Sequence, residues 1–451
     1  MAVTRPTEAT MIVYNVGFGD CVLLRFSYPD GTARHVLVDF GTTKRAPKFR
    51  PDSMEAVARK IADDCGGKLQ MVVATHRHRD HISGFAGESG RIIAGLQPDL
   101  VVQPWTEKPD LAVDATGAAG VRGAGGAGGA GGGGAGGAGG ARGMAARRFA
   151  ARLDTLHEAA DQVLQQVPRV RATKGVTRTV ADQLAFIGEA NLKNADAVRA
   201  LQALGKRRVY ASFGTDLHVG SLLPGVEVEV LGPPTLAQSD EIARMADTDA
   251  EEFWSLLAAS AGQAVVGGHE PLFPGARKAG TRARAQEARW LIPRIDKMQA
   301  EELLALVRIL DGVMNNTSLI LLFSVGDSRL LFPGDAQLEN WRYALELAPE
   351  AADIRKRLAA TKVYKVGHHG SLNATPRTML WGGFTRKDLP DPDERLITLL
   401  STTSGKHGDE DHGTEVPRRR LVDELTRRSR LFNTQDCDAT TGWWRQVTVP
   451  L

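Results

Sequence analysis

The 451-residue sequence predicts an α/β protein whose strands are flanked by helices and interrupted by helical insertions. Short β-type runs broken by glycine and proline dominate the N-terminal part, and segments with apolar residues at every third or fourth position separate the later runs. Several of the apolar runs end directly in His or Asp. With 42% hydrophobic and 24% charged residues, the composition is that of a globular protein and excludes a fibrous or disordered chain.

The N-terminal part is expected to contain three short strands and one helix before the first histidine cluster. The strands are predicted at 11–16, 21–26 and 35–39. Ser53 precedes a segment with helical spacing of apolar residues and is the expected N-cap of that helix. The apolar run 71–74 is predicted to be a buried strand that leads directly into the cluster, so the cluster lies at the C-terminal end of a strand.

Two long segments are expected to be insertions into the sheet-forming core. Every residue from 123 to 141 is Gly or Ala, a composition that cannot bury enough side-chain surface to offset the entropy lost on ordering. The first insertion, 106–206, is therefore predicted to combine a flexible segment, 117–143, with helices. The second, 235–312, is predicted to be helical. The predicted core comprises residues 1–105, 207–234 and 313–451.

The strands in the second half of the chain end next to potential ligands. A hairpin is expected around the turn at Gly326, and its second strand leads to Asp335. The apolar run 362–366 leads in the same way to His368 and His369. We therefore expect the ends of separate strands to present histidine and aspartate side chains to one site.

The segment from Thr75 to His81 contains four potential metal ligands. Side chains two positions apart in an extended segment point the same way, so His76 and His78 can reach one cation, while Asp80 and His81 can reach a second. Imidazole and carboxylate ligands suit Zn²⁺ and Mn²⁺, and the later strand ends offer further nitrogen and oxygen donors. A pair of ions roughly 3.5 to 4 Å apart would generate a hydroxide nucleophile at neutral pH.

These features resemble the metallo-β-lactamase superfamily, whose signature is His-x-His-x-Asp-His after a strand, then an Asp and a late His. Within it, the chain is most similar to the ComEC-type hydrolase domain of bacterial DNA-uptake proteins. The matching segments are Asn15-Val16-Gly17-Phe18-Gly19-Asp20, Val38-Asp39-Phe40-Gly41, Asn316-Thr317-Ser318, Gly334-Asp335 and His368-His369-Gly370-Ser371. The resemblance covers roughly residues 10–105, 207–234 and 313–451. It implies an αββα sandwich of two mixed β-sheets flanked by helices.

The resemblance also implies roles for individual residues. The implied metal ligands are His76, His78, Asp80, His81, Asp335 and His368, with His369 as the alternative to His368. We favour His368 because it follows its strand directly. Asp20 and Asp39 are expected to hold the ligands in place. The expected contacts to substrate are Arg77, Arg79, His369 and Ser371, and the two arginines are included because the motif places them at the rim of the site.

Two residues are assigned to catalysis. Asp80 is expected to orient the attacking hydroxide. His412, in the polar loop 406–413, resembles a loop histidine of the family and would protonate the leaving oxygen or bind a phosphate. The alternative for His412 is a solvated loop with no part in the reaction.

Three departures from the family pattern bear on function. Asn15 stands where the family has Asp. Only His157, His218 and His269 lie between the first motif and Asp335, and none has a recognisable context. A third histidine ligand for the ion at His76 and His78 is therefore not identified. The occupancy of that second ion stays open. The transmembrane segments of full-length DNA-uptake proteins are absent, so the chain cannot transport DNA alone.

Charge and cysteine content give further expectations. A net charge of +3 with a pI near 8.7 is too balanced to imply a polyanionic partner from the whole chain. No apolar run has the length of a secretory or membrane segment, and Cys21, Cys65 and Cys437 form neither a disulfide framework nor a zinc motif. We therefore expect a cytoplasmic protein with no membrane association.

Three functional hypotheses follow from the sequence. The leading one is a two-metal phosphodiesterase or nuclease that acts on nucleic acid or another phosphodiester. The second is hydrolysis of a small ester, thioester or lactam. The third is a partner-gated or non-catalytic subunit of a multiprotein system, such as a bacterial defence system, that docks through the helical insertions.

Overall fold

A computed structural model describes most of the predicted core. The described residues are 4–109, 117, 167–168, 171, 184, 194–239, 241–243, 312–371, 375–405 and 415–451. The chain divides into two compact units, the first formed by Met1–Ala151, Asn194–Ala243 and Val313–Leu451, and the second by Arg152–Lys193 and Arg244–Gly312. The elements below belong to the first unit. The predicted Gly/Ala-rich segment 117–143 lies, after its first residue, outside the described residues.

Thirteen strands and seven α-helices are defined in the described ranges. The strands are β1 Glu8–Tyr14, β2 Cys21–Ser27, β3 Ala33–Phe40, β4 Met71–Val73, β5 Leu100–Pro104, β6 Arg207–Ala211, β7 Glu227–Gly232, β8 Ile320–Val325, β9 Ser328–Phe332, β10 Thr361–Lys365, β11 Ile397–Leu400, β12 Arg430–Asn433 and β13 Trp444–Pro450. The helices are α1 Met54–Asp64, α2 Arg79–Ile82, α3 Gly87–Gly95, α4 Ala195–Ala203, α5 Leu338–Arg342, α6 Ala351–Ala359 and α7 Arg419–Arg428.

Both sheets are mixed and share one pattern. The first has the order β13-β1-β2-β3-β4-β5-β6, with antiparallel pairs from β13 to β3 and parallel pairs from β3 to β6. The second has the order β12-β11-β10-β9-β8-β7, antiparallel from β7 to β9 and parallel from β9 to β12. Each sheet thus starts as a meander and continues with crossover connections, which require intervening segments such as helices.

The alternation of side chains along the strands separates three apolar layers. Met11 and Val13 of β1 belong to a core that also contains Phe323 of the second sheet, so this core lies between the two sheets. Ile12 and Tyr14 of the same strand belong to a second cluster. That cluster includes apolar side chains of α1, α3 and α4, whereas α5, α6 and α7 contribute to a third cluster on the second sheet. The prediction of an α/β protein with two mixed sheets flanked by helices is confirmed, and the layers are compatible with an αββα sandwich.

Several local predictions can be compared with the structure. Ser53 caps α1 as predicted, because its side chain accepts a hydrogen bond from the Ala56 amide at 3.2 Å. Helix α4 lies within the predicted first insertion, yet its Ala197 and Leu201 pack into the apolar cluster of the first sheet. None of the helices in the described ranges is long and apolar enough to cross a membrane.

Candidate metal centre

The candidate site forms where strands of both sheets end. In the first sheet Asp39 is near the end of β3, and His76 follows β4 after a short turn. In the second sheet Asp335 follows β9, and His369 follows β10. Because neighbouring parallel strands end at the same edge of a sheet, these side chains converge between the two sheets.

Four buried side chains come close enough to share one ion. Asp80, His81, Asp335 and His369 each offer a ligand atom, and these atoms all lie within 4.8 Å of one another. His369 Nε2 is 2.9 Å from Asp80 Oδ2, and His81 Nε2 is 3.0 Å from Asp335 Oδ2. All four residues are buried. This group could hold a metal ion.

The first two histidines of the motif lie next to this group. His76 Nε2 is 4.0 Å from Asp335 Oδ2, and its ring centroid is 4.2 Å from that of His81. The His78 ring contacts the His76 ring edge-on at 4.6 Å. Asp335 therefore faces both His76 and His81.

The hydrogen bonds within the cluster leave several potential metal-ligand atoms without a partner. Among the described residues, the buried atoms His76 Nε2, Asp80 Oδ1 and His81 Nε2 have no hydrogen-bond partner of acceptable geometry. Buried polar atoms are rarely left in that state, because the loss of hydration is costly. Imidazole nitrogen and carboxylate oxygen atoms are also the usual ligands of Zn²⁺ and Mn²⁺, so these residues fit a divalent cation.

Hydrogen bonds at the opposite ring nitrogens orient both ligand histidines. His81 Nδ1 donates to Asp39 Oδ2 at 2.8 Å, and Asp39 is itself held by the amide and hydroxyl of Thr75, both at 2.7 Å. His369 Nδ1 donates to the Ser401 carbonyl at 3.0 Å. In both rings this fixes the tautomer that presents Nε2 to the cluster.

Asp20 lies beneath these histidines. One of its carboxylate oxygens is 3.8 Å from His81 Nδ1, the other is 3.8 Å from His369 Nδ1, and Asp20 also forms an ion pair with Lys365. The positions of Asp20 and Asp39 are those expected of residues that hold the ligands in place. Lys365 was not predicted from the sequence, although a lone lysine at the end of a buried strand is an unusual signal.

The electrostatics of the cluster reflect its crowding of carboxylates. Burial acts to lower the pKa of His81, but Asp335 and Asp39 raise it well above the ordinary value. Burial acts to raise the pKa of Asp335, but His81 and the two neighbouring histidines 368 and 369 lower it well below the ordinary value. The pKa of Asp80 is likewise lowered, despite burial, by its hydrogen bond with His369. Protons on the histidines thus balance the negative charge of the carboxylates, which a bound cation would otherwise balance.

The geometry favours His369 over His368 as the late ligand. His368 is absent from the four-residue group; its amide donates to Asp335 Oδ1 at 3.0 Å, while its Nδ1 lies 2.8 Å from Ser371 Oγ. Its Nε2 lies 3.4 Å from Asn315 Nδ2. His368 and Ser371 therefore form a polar pair beside the cluster, and His368 helps to position Asp335.

Both arginines of the motif, Arg77 and Arg79, are partly buried. Arg77 Nε is 3.4 Å from Oε2 of the buried Glu107, so its charge is balanced from within the protein. Arg79 starts α2 and is partly buried. Glu107 carries no sequence signal that connects it to the motif, because the contact depends on how β5 ends.

Four other histidines were considered from the sequence, and of these only His218 lies among the described residues. His412 lies in the segment 406–414, outside the described residues, as do His157 and His269. His218 is exposed and pairs with Asp216, whose Oδ2 is 2.9 Å from His218 Nδ1. His218 is therefore not a third histidine ligand beside His76 and His78.

Comparisons with known proteins add no family assignment. No protein-family model and no curated protein matches this chain. The functional argument therefore rests on the residues and their geometry.

Proposed function

We propose that this protein is a metal-dependent hydrolase of the metallo-β-lactamase fold that cleaves phosphodiesters, as a phosphodiesterase or nuclease with two divalent ions. The observation that carries the proposal is the convergence of the buried side chains of Asp80, His81, Asp335 and His369, among which Asp80 Oδ1 and His81 Nε2 have no hydrogen-bond partner. The resemblance of the motifs to the superfamily adds support for the fold and for the reaction class.

The balance of buried charge supports occupancy by cations. The buried carboxylates in and beside the cluster are Asp20, Asp39, Asp80 and Asp335, and the one buried ammonium in contact with them among the described residues is that of Lys365. Uncompensated buried charge is strongly unfavourable, so an excess of carboxylates requires protons or metal ions. Divalent cations would provide this compensation at neutral pH.

The ligands divide naturally into two sets. Asp80, His81 and His369 would hold one ion, His76 and His78 would hold the other, and Asp335 faces both. Mixed nitrogen and oxygen donors suit Zn²⁺ or Mn²⁺. When bound, such ions lower the pKa of water and stabilise negative charge that develops on phosphoryl oxygens.

The protein's own residues then perform three tasks. Asp39 and the Ser401 carbonyl keep the Nε2 atoms of His81 and His369 directed at the cluster. Asp80 Oδ1, which has no hydrogen-bond partner, can accept a hydrogen bond from the attacking water and orient it. The Phe18 ring packs 4.4 Å from the His369 ring and limits access of solvent on that side.

Metal content and hydrolysis test this proposal together. The full-length protein is assayed by elemental analysis and, with Mn²⁺ or Zn²⁺, against bis-p-nitrophenyl phosphate, DNA, RNA and nitrocefin. We expect nearly two metal equivalents and hydrolysis of the phosphodiesters. Asp335→Asn and His369→Gln should each reduce the metal content and slow hydrolysis by at least ~100-fold, because a bridging or terminal ligand is lost.

Matched variants separate loss of ligands from general damage. Asp327→Asn changes an exposed aspartate in the turn that precedes Asp335, and His218→Gln changes an exposed histidine. Both should retain metal and activity. Phosphodiester cleavage that survives Asp335→Asn and His369→Gln would refute the mechanism; cleavage of nitrocefin alone would favour the small-molecule hydrolase, and a protein without metal would favour the non-catalytic subunit.

A further inference from the structure

The loop between β3 and α1 is a basic segment that the proposed chemistry does not use. We define the basic loop as residues 43–52; its charged residues are Lys44, Arg45, Lys48, Arg50 and Asp52. The four cations are exposed, and none forms an ion pair with a carboxylate among the described residues. The loop therefore presents a local positive charge that the balanced net charge of the chain conceals.

Hydrogen bonds within the basic loop give it a defined shape. The Arg45 guanidinium donates to the Asp52 carbonyl at 2.6 Å, and the Arg50 guanidinium donates to the Ala46 carbonyl at 3.0 Å. These bonds use main-chain acceptors, and neither arginine forms an ion pair with a carboxylate among the described residues. The arginines thus order the loop and still attract anions.

Phe49 is the aromatic residue of the basic loop, and its side chain is presented to solvent. It is 42% exposed and has a left-handed backbone with φ of 45°, which is unfavourable for a residue with a Cβ. The buried Asn15 side chain donates to the Phe49 carbonyl at 3.0 Å and helps to hold this conformation. Strained backbone that tertiary contacts maintain around an exposed ring is typical of binding sites.

The basic loop is attached to the candidate metal centre. Phe18, whose ring packs against His369, donates its amide to the Lys44 carbonyl at 2.7 Å. Thr42, the residue before the loop, donates its amide at 2.9 Å to Oγ of Ser83, which directly follows α2. The start of the loop is therefore held next to the end of α2, the helix that contains the candidate ligands Asp80 and His81.

The path from Phe49 to the cluster is short. Asn15, which binds the Phe49 carbonyl, precedes Phe18 by three residues of chain, a span of at most roughly 11 Å. A strand of nucleic acid that reaches the metal centre can therefore touch the basic loop.

We infer that the basic loop is a binding surface for single-stranded nucleic acid, with Phe49 stacking on an unpaired base and Lys44, Lys48 and the two arginines binding phosphates. That this nucleic acid is the substrate of the metal centre rests on the proposed function. Binding by the loop itself does not require phosphodiester cleavage. A single exposed ring among cations suits an unpaired base, because bases within a duplex are already stacked and cannot cover it.

Binding is measured without metal, so that chemistry does not enter. Fluorescence anisotropy of a labelled oligothymidylate is recorded with the full-length protein in chelator over a range of salt concentrations, beside a duplex of equal length and phosphatidylserine vesicles. We expect the single strand to bind most tightly. Phe49→Ala should weaken its binding by about 5- to 150-fold, and Phe49→Trp should preserve it.

The cations are tested by the salt dependence. The double variant Lys44→Gln/Lys48→Gln should reduce the slope of log affinity against log salt by roughly 1.4, since each phosphate contact to a single strand contributes about 0.7. Leu347→Ala is the matched control, because Leu347 is an apolar residue with 47% exposure outside the loop. It should bind as the unaltered protein does.

Several outcomes overturn the inference. These are equal binding by Phe49→Ala and the unaltered protein, an unchanged salt slope, equal affinity for duplex, or vesicle binding that depends on Phe49 while the oligonucleotide does not bind. If bis-p-nitrophenyl phosphate is cleaved and Phe49-dependent binding is absent, only this inference fails. If binding depends on Phe49 and no phosphodiester is cleaved, the proposed function fails and the binding surface remains.

Discussion

The Lys365 ammonium contacts the Asp20 carboxylate inside the protein, with only 4% and 3% of the two side chains exposed. Removal of one partner from such a pair leaves an uncompensated buried charge. Lys365→Met should therefore lower the free energy of unfolding by about 3–5 kcal/mol, measured by urea denaturation in chelator. The double variant Lys365→Met/Asp20→Asn should recover more than half of this loss.

The neighbouring lysine of the same strand provides the control for that experiment. Lys362 is partly exposed and donates to the Pro450 carbonyl at 2.6 Å, so Lys362→Met should cost less than Lys365→Met. If the double variant is as unstable as the sum of the two single variants, Lys365 and Asp20 are not energetically coupled.

Asp39 is expected to act on metal affinity through His81. In Asp39→Asn an amide can face His81 Nδ1, which favours the tautomer with a proton on Nε2, the atom directed at the cluster. Metal affinity, measured by competition with a chromophoric chelator, should fall about 10- to 100-fold. Asp30→Asn, in an exposed turn, is the control. An affinity within about twofold of the unaltered protein would show that Asp39 does not position the ligand.

Asn15 should tolerate replacement by aspartate poorly. In Asn15→Asp the ionised carboxylate could not donate to the Phe49 carbonyl and would place two acceptors against each other, at a cost of about 1–3 kcal/mol in unfolding free energy. Near pH 5 the loss should shrink, because a protonated carboxyl can donate. Asn15→Ala, which adds no charge, should show no such recovery. Equal stability of Asn15→Asp and the unaltered protein at pH 8 would contradict this.

His35 provides a pH-dependent test remote from the metal ligands. Burial and the facing Arg25 lower the pKa of His35 to about 4, whereas an unfolded histidine titrates near 6.5. As the pH falls between these values, the unfolded state takes up a proton that the native state excludes, so stability is lost. From pH 7.5 to 4.5 this contribution is about 2–3 kcal/mol.

Comparison of variants isolates the contribution of His35. The difference in unfolding free energy between His35→Gln and the unaltered protein should change by that amount over the pH range, because glutamine does not titrate. His218→Gln, at an exposed position, should follow the unaltered protein. A difference that is constant with pH would show that His35 is protonated equally in both states.

Local patterns predicted the strand ends better than the side chains that meet there. The apolar run before Thr75 and the hairpin before Asp335 locate two strand ends, because burial and turn formation are encoded nearby. The choice between His368 and His369 could not be made in this way. Both residues have left-handed backbone, with φ of 43° and 51°, so the alternation expected of an extended segment does not apply.

Side-chain contacts between segments that are distant in sequence could not be predicted either. The ion pair of Lys365 with Asp20 and that of Arg77 with Glu107 each join different strand ends. A sequence pattern reports the periodicity of one element, but such pairs depend on how separate elements pack. The role of Asn15 was hidden for the same reason, since its partner is a main-chain carbonyl in the basic loop.

The pairing of β1 with β13 sets the order of events during biosynthesis. Glu8 pairs with Pro450 and Tyr14 with Trp444. The ribosome therefore synthesises β1 first and its partner β13 last among the strands of the described ranges. At about 5–20 residues per second, the outer edge of β1 waits roughly 20 to 90 s for that partner. An unpaired edge of this kind invites pairing with other chains. Nascent molecules should therefore depend on chaperones, and aggregation in cells should rise with expression rate more than the stability of the finished protein would suggest.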